Sequence, residues 1–138
     1  MWGPIGLDNG IVLEIKNKEK FGELKTPLEK MTYLDVEEYD IFYWRKCWHV
    51  RGEIMSLINC EDNGYGHLNL YDLYNVCRVL EAMYTDAAWQ EAYDDGYTIW
   101  DTEILPFYRE RLEMAQKLLV ELEGKPVDSY EIRFYDSY

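Results

Sequence analysis

The spacing of apolar side chains between Val36 and Ile58 constrains this chain more than any other feature. Val36, Asp40, Tyr43, Cys47, Val50, Ile54 and Leu57 recur three or four apart, and all but Asp40 are apolar or aromatic. Ile41, Trp44, Trp48 and Met55 make a second stripe beside the first. A helix apolar on two adjacent stripes is buried on more than one side. The pattern predicts one long central helix over about Val36 to Ile58, with Trp44 and Trp48 in the core, ending before the turn pair Asn63-Gly64.

Other elements arrange themselves around that helix. Ile11 to Ile15 reads as a strand, set off by the turn pair Asn9-Gly10. A polar stretch containing Pro27 follows. Asn69 is placed to cap a second helix, with Asp72 in its first turn and Leu70, Leu73, Cys77, Leu80 and Tyr84 on its buried face. A short helical piece is expected from Ala87 to Tyr93, broken at Asp94-Asp95-Gly96. A last helix begins between Asp101 and Pro106, buries Tyr108, Leu112, Ala115, Leu119 and Leu122, and stops at Gly124 and Pro126. Tyr130, Ile132 and Phe134 alternate with Glu131, Arg133 and Tyr135, the period of a half-buried strand, which is expected to pair with residues 11–15. The expected class is α+β: three to four helices around a central long one, with a small antiparallel sheet from the N- and C-terminal strands, in a single domain over residues 1–138.

Charge narrows the partners. The 138 residues carry 14 basic and 27 acidic side chains, a net charge of −13. Residues 1–30 are balanced, so the excess lies after them. From Val79 to Tyr108 come Glu81, Asp86, Glu91, Asp94, Asp95, Asp101 and Glu103, with no Lys or Arg. Duplex DNA is bound by cations that displace its counterions, so direct duplex binding is not expected. A basic protein surface, such as a nucleic-acid groove, would be attracted instead. No apolar run is long enough to span a bilayer and the N-terminus does not read as a signal peptide, so no membrane association and a cytoplasmic location are expected. Cys47, Cys60 and Cys77 are far apart and form no CxxC pair. A reduced buried thiol is the reading for Cys47 and Cys77, with Cys60 near a loop.

Tyr43-Trp44-Arg45-Lys46 carries a resemblance. The chain resembles a group of small proteins encoded by tailed phages and prophages. These share a YWRK helix start followed by an apolar position and a His, then a second amphipathic helix, and often a short aromatic tail containing a serine. Tyr130-Glu131-Ile132-Arg133-Phe134-Tyr135-Asp136-Ser137-Tyr138 looks like that tail, and the likeness spans about residues 36–138. The chain departs from the pattern at Arg51, where the His would fall, and His49 is in a different register. The group has no established biochemical activity, so the resemblance implies an origin, a mobile-element accessory protein. Such proteins commonly bind and block a host component.

Two candidate sites follow. Asp94, Asp95, Tyr97, Trp100, Asp101 and Glu103 interleave acids with aromatics, as a partner-binding rim around aromatic anchors would. Tyr43, Arg45, Lys46, His49 and Arg51 offer an aromatic face and guanidinium groups to a nucleotide or other small anion. The simpler reading of Tyr43 and Trp44 is core, with Arg45 and Lys46 paired to neighbouring acids. His49, four residues from Arg45 and from Glu53, reads as part of a charge ladder on one helix face; no nucleophile is spaced to meet it, so no catalytic residue is assigned. His67 has no partner that spacing identifies. The carboxylates match no calcium-loop pattern, and no phosphate-binding glycine motif or nucleophile elbow is present, so no metal or cofactor is expected. The expectation is a non-enzymatic accessory protein, in the host cytoplasm, that binds and blocks a host protein with a basic surface. A binder that sequesters a small anion is the alternative.

Overall fold

The computed structural model describes residues 7–32, 36–45, 47–85 and 105–138. Within these residues the elements, in chain order, are β1 (Asp8–Ile15), α1 (Lys18–Phe21), β2 (Glu29–Thr32), β3 (Glu37–Arg45), α2 (Trp48–Leu57), β4 (Tyr65–Leu68), α3 (Leu70–Thr85), α4 (Leu105–Glu123), a 3-10 turn (Val127–Ser129) and β5 (Tyr130–Ser137). The strands form one antiparallel sheet in the order β2-β3-β1-β5-β4. The architecture is α+β, and the pairing of the two terminal strands is as expected: Ile11 lies opposite Phe134 and Leu13 opposite Ile132.

The long central helix is not formed. Its first half is β3 and only Trp48–Leu57 is helical. Tyr39, Ile41, Phe42, Tyr43 and Trp44 are β-branched or aromatic, types that fit a pleated surface better than a helix. Phe42 and Trp44 are buried while Tyr43 and Arg45 are exposed, an alternation of period two that coexists with the helical stripe. Pairing along the whole of β1 settles the choice. Ile11 opposes Phe42 but Val12 opposes Asp40, so Ile41 is an extra residue, a bulge that lets both Ile41 and Phe42 reach the core. Asp40, the polar member of the predicted stripe, lies beside this irregularity. Trp44 is fully buried and stacks on Phe42 at 5.1 Å, but Trp48 is only half-buried, against the expectation.

One face of the sheet meets the helices. Ile11, Leu13 and Ile15 of β1, Phe42 and Trp44 of β3, and Ile132 and Phe134 of β5 join Val50, Ile54, Leu73, Leu80, Leu112 and Leu118 in one cluster. Helix α3 packs on α2 and α4, and α4 reaches β3. The expected cap of α3 is reciprocal: Asp72 N–H donates to Asn69 Oδ1 at 2.8 Å and Asn69 N–H donates to Asp72 Oδ2 at 3.0 Å. The polar stretch around Pro27 contains α1 and β2, which periodicity did not reveal. It is tied to α4 by Glu121, which accepts from the Lys25 and Thr26 amides at 2.7 and 2.8 Å and from the Thr26 hydroxyl at 2.6 Å.

Asn9-Gly10 is not a turn. Both residues lie inside β1. Asn9 is buried and donates to Asp136 at 2.6 Å. Gly10 is required by a close approach: a β-carbon there would stand 2.5 Å from the Tyr135 ring.

Candidate binding face

Side chains alternate across a strand, so the residues between the core positions point to the opposite side of the sheet. Register sets them in rows. Gly10 of β1 is opposite Tyr43 of β3 on one side and Tyr135 of β5 on the other, and Tyr135 is opposite Tyr65 of β4. Three tyrosines and one glycine therefore cross four strands in a single line, with the end of the Tyr135 ring occupying the space above Gly10. The row on one side of it is Arg45, Asp8 and Ser137; the row on the other holds Val12, Arg133 and His67.

Seven residues of these rows, Asp8, Val12, Tyr43, Tyr65, Arg133, Tyr135 and Ser137, line a shallow concavity of about 620 Å³ to which no described helix contributes a residue. Val12 is its apolar floor, 5% exposed yet outside the helix-side core, and Met31 and Val36 extend it toward β2. Tyr43 is 43% exposed and Tyr65 69% exposed, large aromatic areas for side chains within a sheet. Tyr43 donates its hydroxyl to Asp8 Oδ1 at 2.6 Å. Partial burial and that acceptor push the Tyr43 hydroxyl up to about 12, so it stays a donor at neutral pH.

The charges on this face are mostly answered internally. Arg133 pairs with Glu38 and with Glu14, the latter at 3.3 Å, and its guanidinium lies 6.0 Å from the Tyr65 ring centre. Its Nε is buried and makes no hydrogen bond among the described residues. Glu131 takes Lys16 at 2.8 Å and His67 at 2.5 Å, which gives His67, in β4, a partner that spacing did not name. The Lys16 ammonium hydrogen-bonded to Glu131 holds that carboxyl below its ordinary range.

The described members of the predicted anion site lie on two different elements. Tyr43 and Arg45 lie in β3 on the open face, whereas His49 and Arg51 lie on α2. Lys46 lies outside the described residues. Arg45 and His49 share no helix face, which removes the expected charge ladder. Arg51 is already engaged: its Nε and Nη2 donate to the two oxygens of Asp136 at 2.7 and 2.8 Å, Asp62 adds a contact at 3.1 Å, and the Trp48 and Tyr138 rings lie 5.4 and 5.1 Å from its guanidinium. A guanidinium met in this bidentate way is not free for a ligand. Asp136 has a fully buried side chain; burial pushes its carboxyl up, but Arg51, the Asn63 amide and Asn9 together hold it below its ordinary value. This cluster anchors the C-terminal strand.

The predicted partner-binding set, Asp94, Asp95, Tyr97, Trp100, Asp101 and Glu103, lies outside the described residues, as does the helical piece expected from Ala87 to Tyr93. Sequence reasoning missed the Tyr43, Tyr65 and Tyr135 row. Its members come from three distant segments and only strand register aligns them. Cys47 and Cys77 are buried, with the Cys77 thiol pushed up to about 12 by burial, and Cys60 is half-buried. Among the described residues no helix is long and apolar enough to cross a membrane, and no group of His, Cys, Asp or Glu is arranged to hold a metal. No protein-family model, curated protein or solved structure matches the chain, so the site is read from its own geometry.

Proposed function

We propose that the chain is a non-enzymatic accessory protein of phage or prophage origin that binds and blocks a host protein, in the host cytoplasm, by docking a basic surface of that protein on its open sheet face. The observation that carries the reading is the tyrosine row across β3, β1, β5 and β4, which leaves Tyr43 and Tyr65 exposed on a face that no described helix covers. Tyrosines supply much of the contact energy at protein interfaces, at small entropic cost. The net charge of −13 supports a basic partner, and the acids Asp86, Glu91, Asp94, Asp95, Asp101 and Glu103 supply a large share of it from one segment without Lys or Arg. The phage setting rests on the YWRK resemblance. The sequestration of a small anion is less well supported, because the Arg133 and Arg51 guanidinium groups are occupied by carboxylates.

The reading is tested by capturing the partner from a bacterial host lysate with tagged protein and measuring surface plasmon resonance with the captured protein. Reversal of Asp94 and Asp95 to Lys is expected to slow association several-fold at low salt, and Tyr65→Ala to speed dissociation several-fold. If both variants bind the captured protein as the wild type does, the contact lies elsewhere and the reading fails.

A further inference from the structure

Granted that docking reading, we infer that the partner is held by main-chain pairing at β4: a basic, extended segment of the host protein adds a strand along the Tyr65–Leu68 edge. Strand β4 ends the sheet, with β5 on its inner side and no described strand on its outer side. Register fixes which backbone groups are left over. Gly64, one position before the strand, falls opposite Asp136, and the Asp136 N–H donates to the Gly64 carbonyl at 2.9 Å. Bonded pairs recur at every second residue of an antiparallel ladder, so Gly66 and Leu68 turn their backbone groups toward β5. Tyr65 and His67 turn theirs outward, and no hydrogen bond among the described residues uses them. A strand of this length pairs stably in this sheet, since β2 is held on β3 through Glu29–Thr32 alone.

The two edges of the sheet differ. Strand β2 carries Glu29 and Lys30 and follows Pro27, features that discourage a further strand. Strand β4 reads Tyr-Gly-His-Leu, with no proline, no Lys and no bulge. At its Leu68 end a groove of about 450 Å³, lined in part by Leu70, Tyr71, Val127 and Ile132, has room for an apolar side chain of the added strand. Side chains opposite Tyr65 and His67 fall on the open face, so the added strand continues the docking surface. Charge selects the occupant. Residues 52–77, which contain β4, hold Glu53, Glu61, Asp62 and Asp72 and no Lys or Arg. Glu61 is exposed at the approach to β4 and makes no ion pair among the described residues. A second copy of the chain would bring the same acids and a further net charge of −13 to this edge, whereas a basic segment is drawn to it. Main-chain bonds then supply the binding, and the groove and the charges supply the selection.

The test uses the full chain and three blocked peptides. The first is acetyl-Val-Lys-Val-Arg-Val-Lys-amide. The second is the same peptide N-methylated at its two central residues, which removes a donor from each of its edges. The third is acetyl-Val-Glu-Val-Glu-Val-Glu-amide. Amide hydrogen exchange is followed by NMR. In the free chain the Tyr65 and His67 amides are expected to exchange at least tenfold faster than those of Gly66 and Leu68. The basic peptide is expected to slow Tyr65 and His67 at least tenfold at saturation, and the N-methylated and acidic peptides to bind at least fivefold more weakly. His67→Pro removes an outward N–H and no bond to β5, so it is expected to keep the fold and weaken the basic peptide at least fivefold. If that variant does not fold, the N-methylated peptide decides the main-chain contact. The inference is overturned if Tyr65 and His67 are already as protected as Gly66 and Leu68, or if millimolar basic peptide slows neither. It is also overturned if N-methylation or reversal of the peptide's charge changes nothing, or if folded His67→Pro binds as the wild type does. Protection of the same amides that grows with the concentration of the chain alone overturns it in favour of self-pairing. If the peptide pattern fails while Tyr65→Ala speeds dissociation of the captured host protein, this inference alone falls. If the pattern holds while Tyr65→Ala and the Asp94/Asp95 reversal both leave host-protein binding intact, the docking reading alone falls.

Discussion

The two faces of the same sheet are built by different rules. On the helix side, Ile11, Leu13, Phe42, Trp44, Ile132 and Phe134 are buried against α2, α3 and α4, and the contacts among them are apolar. On the other side, each of β1, β3 and β5 alternates those residues with Gly10, Val12, Glu14, Tyr43, Arg133 and Tyr135, where contacts are rings, ion pairs and hydroxyls. Folding alone requires only that one face of an antiparallel sheet be apolar, and the other can be evenly polar. A single aligned row of tyrosines with a glycine in its middle exceeds that requirement. The helix side is specified by the need for a core, and the open side carries chemistry that a core does not need.

Four substitutions would break or sharpen that contrast, here ordered by their expected effect on stability. Trp44→Ala empties the largest fully buried side chain among the described residues and breaks its bond to the Tyr84 hydroxyl at 3.1 Å, so it should cost about 3–5 kcal/mol in urea denaturation. A cost below 1 kcal/mol would mean that the helix side is not the core.

Asp136→Asn acts where the sheet ends against α2 and leaves Arg51 without its bidentate partner, for about 3 kcal/mol. Its pH dependence carries a sign. The Asp136 carboxyl titrates below its ordinary value of 3.8 in the folded chain, so its stabilisation is complete above that pH and is lost as pH falls through the lower, folded value. The wild type should therefore lose more stability on acidification than the Asn variant. Parallel curves would remove Asp136 from the account.

Arg133→Met is next. It leaves Glu14 and Glu38 facing each other on the partly wet open face, and about 1–2 kcal/mol is expected. A rise in stability would show that the ion pairs are kept for the surface they shape and not for folding.

Tyr65→Ala removes a ring that is 69% exposed and should stay within about 0.5 kcal/mol of the wild type in thermal unfolding. Coupled with a several-fold faster dissociation from the partner, that neutrality would separate the two faces cleanly. A large loss of stability would instead make the tyrosine row part of the fold.

The sequence was a good guide wherever neighbours along the chain decide the structure. The Asn69 cap of α3, the end of α4 near Gly124, and the alternation of β5 are local or periodic, and each is found as read. It misled where two periodicities coexist. Residues 36–45 satisfy a helical stripe and a strand alternation at once, and no local term separates them, because most of the stability of either element comes from what it packs against. Asn9-Gly10 failed for a related reason. The pair favours a turn in isolation, but Asp136 and Tyr135, far along the chain, give each residue a place inside a strand.

Thus the α+β class, the pairing of the terminal strands, the acidic character and most buried positions of α3 and α4 followed from the order of residues alone, since burial periodicity and charge are properties of a segment. The split of the 36–58 segment into β3 and α2, the engagement of Arg51 by Asp136 and the alignment of Tyr43, Gly10, Tyr135 and Tyr65 were decided only in three dimensions. Strand register brings together side chains from opposite ends of the chain, and a shift of one residue would turn each of them to the other face.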